Sequence, residues 1–271
     1  MIKLEHVVLA SPEQMKFIIE GLRNPLNSWD KSDSGIGCYI TEDDSVINKE
    51  KYPVGSVAAR CETCTWCEPL CYGEPERRNY ILGDNDHSLM QRLANAGTDH
   101  RKFMRMMPVY VRITAPLYWW KEFDTYRVGV TPNPMDIEMN SCSTMHKIQE
   151  KEFKWEDFSN EHLSHTDSFH MDANEDAMNA LQVVINSLNY NRDLYLETKD
   201  KKYWWQMIQL LPSSYNQTRN VMINYEVLCN IYHSRKGHRL DEWREFCSWI
   251  KTLPYKELII GETDERTMER N

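Results

Sequence analysis

An α+β fold, with a small mixed or antiparallel sheet and long helices crowding the C-terminal half, is predicted by the pattern of this sequence. Two early stretches alternate as half-buried strands do: Lys3 to Leu9, and Met107 to Thr114, where Val109, Val111 and Ile113 alternate with Tyr110 and Arg112. Later apolar residues instead recur at helical spacing, most clearly Met178, Leu181, Val184, Ile185, Leu188 and Leu194. Strands early and helices late favour α+β over alternating βαβ units.

The elements follow in order. Ser11-Pro12-Glu13-Gln14 supplies an N-cap and a proline at the first helical position, opening a helix through about Leu22. From Asn24 to Tyr80 the chain reads as loop, punctuated by Pro25, Gly35, Gly37, Pro53, Gly55, Pro69, Gly73 and Pro75. A loop that long inside a compact domain needs something to hold it. Asp86 to Ala96 has helical spacing and ends at Gly97, and Ala115-Pro116 leads into an aromatic-rich helix, Leu117 to Tyr126. After the turn Thr131-Pro132-Asn133-Pro134 come Met139 to Glu150 and a polar connector containing histidines. Helical stretches then cover Ala173 to Glu197, Lys202 to Leu211 (stopped by Pro212), Tyr215 to Ser234 and Asp241 to Thr252. The expected organisation is one domain over residues 1–260 with a Cys-rich insertion at about 36–80, and a flexible charged tail at 261–271.

Composition removes several function classes. A net charge of −9 argues against a protein that coats nucleic acid, because that binding relies on counterion release by Lys and Arg. No apolar run approaches the roughly 20 residues that span a bilayer, and Met1 to His6 lacks the basic, then apolar, texture of a signal peptide. The expectation is a cytoplasmic protein without membrane or direct nucleic-acid partners.

Cys61, Cys64, Cys67 and Cys71 have the spacing of a ferredoxin cluster run, with Tyr72 where proline often follows. Four thiolates so spaced suit zinc or an iron-sulfur cluster, either of which would organise the long loop; free thiols are the alternative. His162, His165 and His170 read as surface residues, with Asp167 and Asp172 the nearest carboxylates in sequence. The run Tyr118, Trp119, Trp120, Phe123 and Tyr126 suits either core packing between subunits or a stacking wall for a flavin or folate ring, and Tyr203-Trp204-Trp205 reads as core.

Three segments resemble the flavin-dependent thymidylate synthases. One is Gly97-Thr98-Asp99-His100-Arg101-Lys102-Phe103, followed by a strand and Ala115-Pro116. The second runs from Tyr118 to Arg127 and then Glu138-Met139-Asn140-Ser141-Cys142-Ser143-Thr144-Met145-His146, where the family carries its R-H-R-x7-S signature. The third is Leu211-Pro212, Asn224-Tyr225-Glu226-Val227-Leu228, Ser234-Arg235-Lys236-Gly237-His238 and Glu242-Trp243-Arg244-Glu245. Together they cover roughly residues 86 to 250 in family order. The departures are specific. The R-H-R triplet is Thr125-Tyr126-Arg127, about eight extra residues precede Ser143, Met145 and Ile208 stand at or near arginine positions, and Glu226 replaces a basic flavin contact.

The resemblance implies methylation of a pyrimidine deoxynucleotide, dUMP or a variant, at C5. Reduced FAD is the cofactor, with NADPH and methylenetetrahydrofolate as co-substrates, and the implied assembly is a homotetramer with sites at subunit junctions. It makes Arg235 the catalytic and pyrimidine-binding cation, fixed to stabilise charge developing on the ring, where the alternative is a surface arginine near a helix C-terminus favoured by the macrodipole. Asn140 and Ser143 would touch substrate, or serve turns and caps. His100, Arg127, Asn224 and His238 would contact the cofactor. His100 could instead be structural, Arg127 a member of an ordinary ion pair, and Asn224 a partner of neighbouring backbone. A non-catalytic nucleotide-binding homologue, or a redox protein centred on the cysteine run, are the alternatives.

Overall fold

The computed structural model describes residues 2–39, 57–58, 78–127, 137–142, 146–165 and 176–261. In chain order the elements are β1 (Lys3–Leu9), α1 (Pro12–Arg23), β2 (Gly35–Tyr39), β3 (Val57–Ala58), β4 (Arg78–Ile81), α2 (Asp84–Asn95), β5 (Pro108–Pro116), α3 (Leu117–Phe123), β6 (Ile137–Ser141), α4 (Ala177–Thr198), α5 (Lys201–Leu210), β7 (Asn216–Asn224), α6 (Tyr225–Arg235), α7 (Asp241–Ile250) and α8 (Glu257–Ile260), with short 3-10 turns between. The α+β class expected from the sequence is the class observed. No helix among the described residues is long and apolar enough to cross a membrane. The chain divides into two compact units, one of Met1–Val7, Tyr110–Met222 and Gly237–Phe246, the other of Val8–Val109, Ile223–Lys236 and Cys247–Asn271.

The first unit holds the four-stranded sheet, ordered β1-β5-β7-β6. Strand β5 shows the alternation read from its sequence: Val111, Ile113 and Ala115 are buried, while Tyr110 and Arg112 are exposed. Just past Pro116, α3 buries Trp119, Trp120 and Phe123 almost completely. Trp119 lies 4.8 Å from Trp243 of α7 and 4.9 Å from Phe123, centroid to centroid. Trp119, Trp120 and Phe123 are therefore core within the chain and not a wall open to a flavin or folate ring, while Tyr118 and Tyr126 are half-buried. Tyr118, on the same helix, donates its hydroxyl to Glu242 and sits 3.2 Å from the Ser159 hydroxyl; burial, then the Glu242 hydrogen bond, push its pKa up to about 12.

A second cluster in this unit packs Ile148, Phe153 and Phe158 against Leu181, Ile185 and Leu188 of α4 and Met207 of α5. The two helices join through Lys199, at φ 58°, and Asp200, whose carboxylate caps α5 by accepting from the Lys202 N–H at 3.0 Å. Trp204 packs against this cluster, whereas Trp205 is exposed.

The expectation of one helical stretch from Tyr215 to Ser234 is corrected: Asn216–Asn224 is strand, and the helix starts only at Tyr225. Val221 and Ile223 are buried and alternate with Asn220 and Met222, the two-residue period of a strand. Asn224 then ends the strand and starts the helix, its side-chain oxygen accepting from the Val227 N–H at 3.0 Å.

In the second unit α1 begins as read, with Ser11 and Gln14 forming a reciprocal capping box over Pro12. The stretch read as loop carries secondary structure: β2 pairs antiparallel with β4 (Gly35 opposite Ile81) and with β3 (Cys38 opposite Ala58). Its first turns are fastened by the buried pair of Arg23 and Asp86, Nε to Oδ1 2.5 Å. The other Asp86 oxygen accepts from the Ser32 hydroxyl at 2.7 Å and from the N–H groups of Asp33 and Ser34 at 3.2 and 3.1 Å. Gly83 precedes α2 at a close crossing, where a Cβ would stand 2.2 Å from Asp33 Cγ.

Candidate functional site

Gly97, at φ 100°, follows α2, and its carbonyl accepts from the N–H groups of His100 and Arg101 at 3.0 and 3.1 Å. The 3-10 turn Arg101–Met106 then buries Phe103 and Met104 and packs on α6. Arg101 and Arg105, four residues apart, both reach Glu226 in the first turn of α6, which is only 4% exposed. Arg105 Nε is 2.5 Å from Glu226 Oε2 and Arg101 Nε 3.4 Å from Oε1. Arg101 also donates to Asn230 Oδ1 at 3.0 Å and to Cys229 Sγ at 3.4 Å. A lone buried carboxylate costs several kcal/mol, and two guanidiniums on one carboxylate offset that cost. Burial, opposed by Arg101 and reinforced by Glu226, raises the Cys229 thiol pKa and keeps it protonated at neutral pH.

Two expected cofactor residues lie beside this cluster in sequence. His100, exposed, immediately precedes Arg101, and Asn224 lies two residues before Glu226. The Asn224 side chain is buried as the helix cap, and its Nδ2 finds no hydrogen-bond partner among the described residues. Arg235 closes α6 in its last turn, roughly 14 Å along the axis from Glu226 at the usual helical rise. It lies near Cys247: burial lifts that thiol to about 11, against the lowering pull of Lys251 and Arg235.

The remaining expected residues belong to the first unit. His238 is held as the Nε2-protonated tautomer when neutral, because the Leu240 N–H donates to its Nδ1 at 3.2 Å. Its Nε2 faces Glu122 Oε2 at 3.6 Å, and the same oxygen accepts from the Trp243 indole N–H at 2.9 Å. Asn140 is exposed on β6. Arg127 ends the 3-10 turn Asp124–Arg127. Ser143, the four cysteines Cys61, Cys64, Cys67 and Cys71, and His170 lie outside the described residues, among which no group of three metal-ligating side chains is poised around an ion.

The triplet that stands for R-H-R has packing work here. Thr125 donates its hydroxyl to the Glu122 carbonyl at 2.6 Å, and the Tyr126 ring meets Trp243 edge-on at 5.8 Å. Asp124, just before it, pairs with Arg219 at 2.8 Å, and that guanidinium lies 4.2 Å over the Trp120 ring. His162 and His165 are exposed as expected, yet face carboxylates the sequence spacing did not suggest, Asp241 and Asp176, each at 3.2 Å.

No family model and no curated protein matches the sequence. The fold does match. A flavin-dependent thymidylate synthase from Helicobacter pylori, complexed with FAD and dUMP, superposes with a TM-score of 0.54 at 15% identity, over 97% of this chain and 98% of that one. A second structure, thymidylate synthase X from Helicobacter pylori with FAD and dUMP, gives 0.54 at 16% identity, covering 97% of each chain. A UMP/dUMP methylase from Streptomyces cacaoi bound with 5-Br UMP reaches 0.43 at 13% identity, over 65% of this chain and 82% of its own. The chain has a flavin-dependent thymidylate synthase-like fold. Arg105, Glu122 and Asn230 were not legible as site residues, since their partners lie 121 or more residues away in sequence.

Proposed function

We propose that this protein is a flavin-dependent enzyme that methylates a pyrimidine deoxynucleotide, dUMP or a close variant, at C5. The near end-to-end superposition on a synthase complexed with FAD and dUMP carries this reading.

The residues present suit a flavin. Arg101 and Arg105 bring two guanidiniums to a partly exposed edge next to His100 in sequence, and such planar donors suit an oxyanion. The orphaned Asn224 Nδ2 asks for an acceptor, and leaving such a donor unmet costs about 1–3 kcal/mol. His100, Arg101, Arg105 and Asn224 would hold the cofactor, with Arg127 and His238 as further contacts. Bound reduced FAD would supply the hydride, and methylenetetrahydrofolate the carbon, with NADPH restoring the reduced flavin. Arg235 would orient the pyrimidine and stabilise negative charge on its carbonyl, a role suited to a side chain that stays protonated and donates in a plane. Asn140 and Ser143 would contribute substrate hydrogen bonds in a homotetramer that shares its sites between subunits.

Protein incubated with FAD, NADPH, methylenetetrahydrofolate and dUMP should yield dTMP by mass spectrometry. Arg235→Ala should lower the yield by about a hundredfold. Absence of any methylated nucleotide from dUMP or UMP would overturn the proposal. A second reading, a nucleotide-binding homologue without turnover, draws support from Thr125 and Tyr126, which serve packing where the family has Arg and His. It predicts nucleotide binding with no product.

A further inference from the structure

A small recess in the second unit is built from residues that the methylation reading leaves unused. Tyr80 of β4, Tyr225 of α6 and Tyr255, two residues before α8, line it together with Pro12, Pro108 and Pro254. Its volume of about 190 Å³ lies below the about 300–1,000 Å³ of drug-sized pockets, which leaves room for a head group and not for a nucleotide or a flavin. Tyr80 and Tyr225 are buried with Met15 and Met107 at the floor, while Tyr255 is half-buried and Pro254 exposed at the rim.

Backbone and side chains fix its shape. The Tyr225 hydroxyl donates to the Pro254 carbonyl at 2.6 Å, and the Tyr225 N–H to the Met107 carbonyl at 3.1 Å. Tyr255 sits at φ 56°, a left-handed conformation rare for a bulky side chain and enriched at binding sites, and its carbonyl accepts from the Leu258 N–H at 3.1 Å. Among the described residues no charged side chain lines the recess, and the charges that reach its phenols from farther out are carboxylates. Burial raises the Tyr80 pKa to about 12 against a Ser34 hydrogen bond, with Asp86 and Glu20 adding to the rise. Burial and then Glu257 raise Tyr255, and burial, Tyr255 and Glu257 raise Tyr225. Arg23 fixes Asp86 in place, and His87 fixes Glu257 at 2.6 Å.

The phenols therefore stay neutral at physiological pH, and their ring faces are electron-rich. An anion would meet neither a donor cation nor a favourable field here. A bare ammonium would give up its hydrogen bonds to water for few in return. A methylated ammonium gives up little hydration, buries its methyl groups against proline and methionine, and is attracted by aromatic faces.

We propose that this recess binds the head group of a small soluble methylated ammonium compound of the choline type, with Tyr80, Tyr225 and Tyr255 around its methyl groups.

The test titrates the full chain with choline and, separately, with dimethylbutanol, its uncharged carbon isostere. Choline should bind, its methyl protons should take up saturation from tyrosine rings in NMR, and the isostere should bind at least about tenfold more weakly. Tyr255→Leu, which keeps an apolar side chain at the rim and removes the ring, should weaken choline binding by about tenfold. The comparison of the two ligands uses unaltered protein, so it decides the matter even if the variant does not fold. No choline binding, equal binding of the isostere, or unchanged choline affinity in folded Tyr255→Leu protein would overturn the proposal. Binding is read without FAD or nucleotide, so failure of the methylation reading leaves it standing.

Discussion

Arg105 places its Nε 2.5 Å from Oε2 of Glu226, a carboxylate buried in the first turn of α6, while Arg101 approaches the other oxygen from one helical turn earlier. The resemblance to flavin-dependent synthases puts a basic flavin contact at position 226, so Glu226 looked like a loss. The structure supplies two cations to the same locality from the 3-10 turn instead.

Removing Arg105 should therefore be felt twice. Arg105→Ala leaves a buried carboxylate with one long partner, and should lower unfolding stability by about 2 kcal/mol in urea titration. It should also weaken FAD binding, followed by flavin fluorescence. Unchanged stability would show that the Arg105 contact is not maintained in solution.

Asp86 should govern part of the acid sensitivity of the second unit. Burial alone would raise its pKa, but hydrogen bonds from Ser34, Ser32 and Arg23, and the Arg23 charge, outweigh burial and hold it below the ordinary carboxylate range. A carboxyl depressed in the folded state contributes stability above its unfolded pKa of about 4 and loses it as pH falls through the folded value. Asp86→Asn should cost about 3 kcal/mol at neutral pH and flatten the fall in stability on acidification. Denaturant midpoints across that pH range measure both.

How much of this was legible in the sequence depends on the span of each signal. Helix α1 announced itself through its local cap, Ser11 with Pro12, and α5 through its stop at Pro212; the Asp200 cap became visible only in the structure. Strand β5 was legible because Val109, Val111 and Ile113 repeat every second residue. Strand β7 was not: Val221 and Ile223 run directly into the apolar residues of α6, and only the Asn224 cap divides them. Strands β2 and β4 were hidden by glycines and prolines on either side. His100, Asn224 and Arg235 enter the candidate site only through the resemblance, whereas Glu226 with Arg101 and Arg105 is a contact between distant segments, which no local pattern encodes.

The aromatic core of the first unit should be its most sensitive packing site. Trp119→Ala removes a fully buried ring touching Trp120, Phe123, Trp243 and Phe246, and should cost about 3–5 kcal/mol. Thermal unfolding of this variant should begin well below that of the wild type. A cost under about 1 kcal/mol would mean that neighbouring rings refill the space.

His238 should show one tautomer. With the Leu240 N–H on Nδ1 and Glu122 opposite Nε2, nitrogen NMR of the neutral ring should report a proton on Nε2. Glu122→Gln should leave the Leu240 contact and that tautomer in place while changing the Nε2 shift. A ring protonated on Nδ1 in the wild type would contradict the geometry.

The most direct test of the central claim is an anaerobic half-reaction. Protein loaded with FAD is reduced, its visible absorption is recorded, and dUMP with methylenetetrahydrofolate is added without oxygen. A flavin-dependent nucleotide-methylating enzyme should regain the oxidised flavin spectrum and release dTMP in equal amount. A protein that takes up no FAD, or whose reduced flavin stays bleached while dUMP is unchanged, would contradict it.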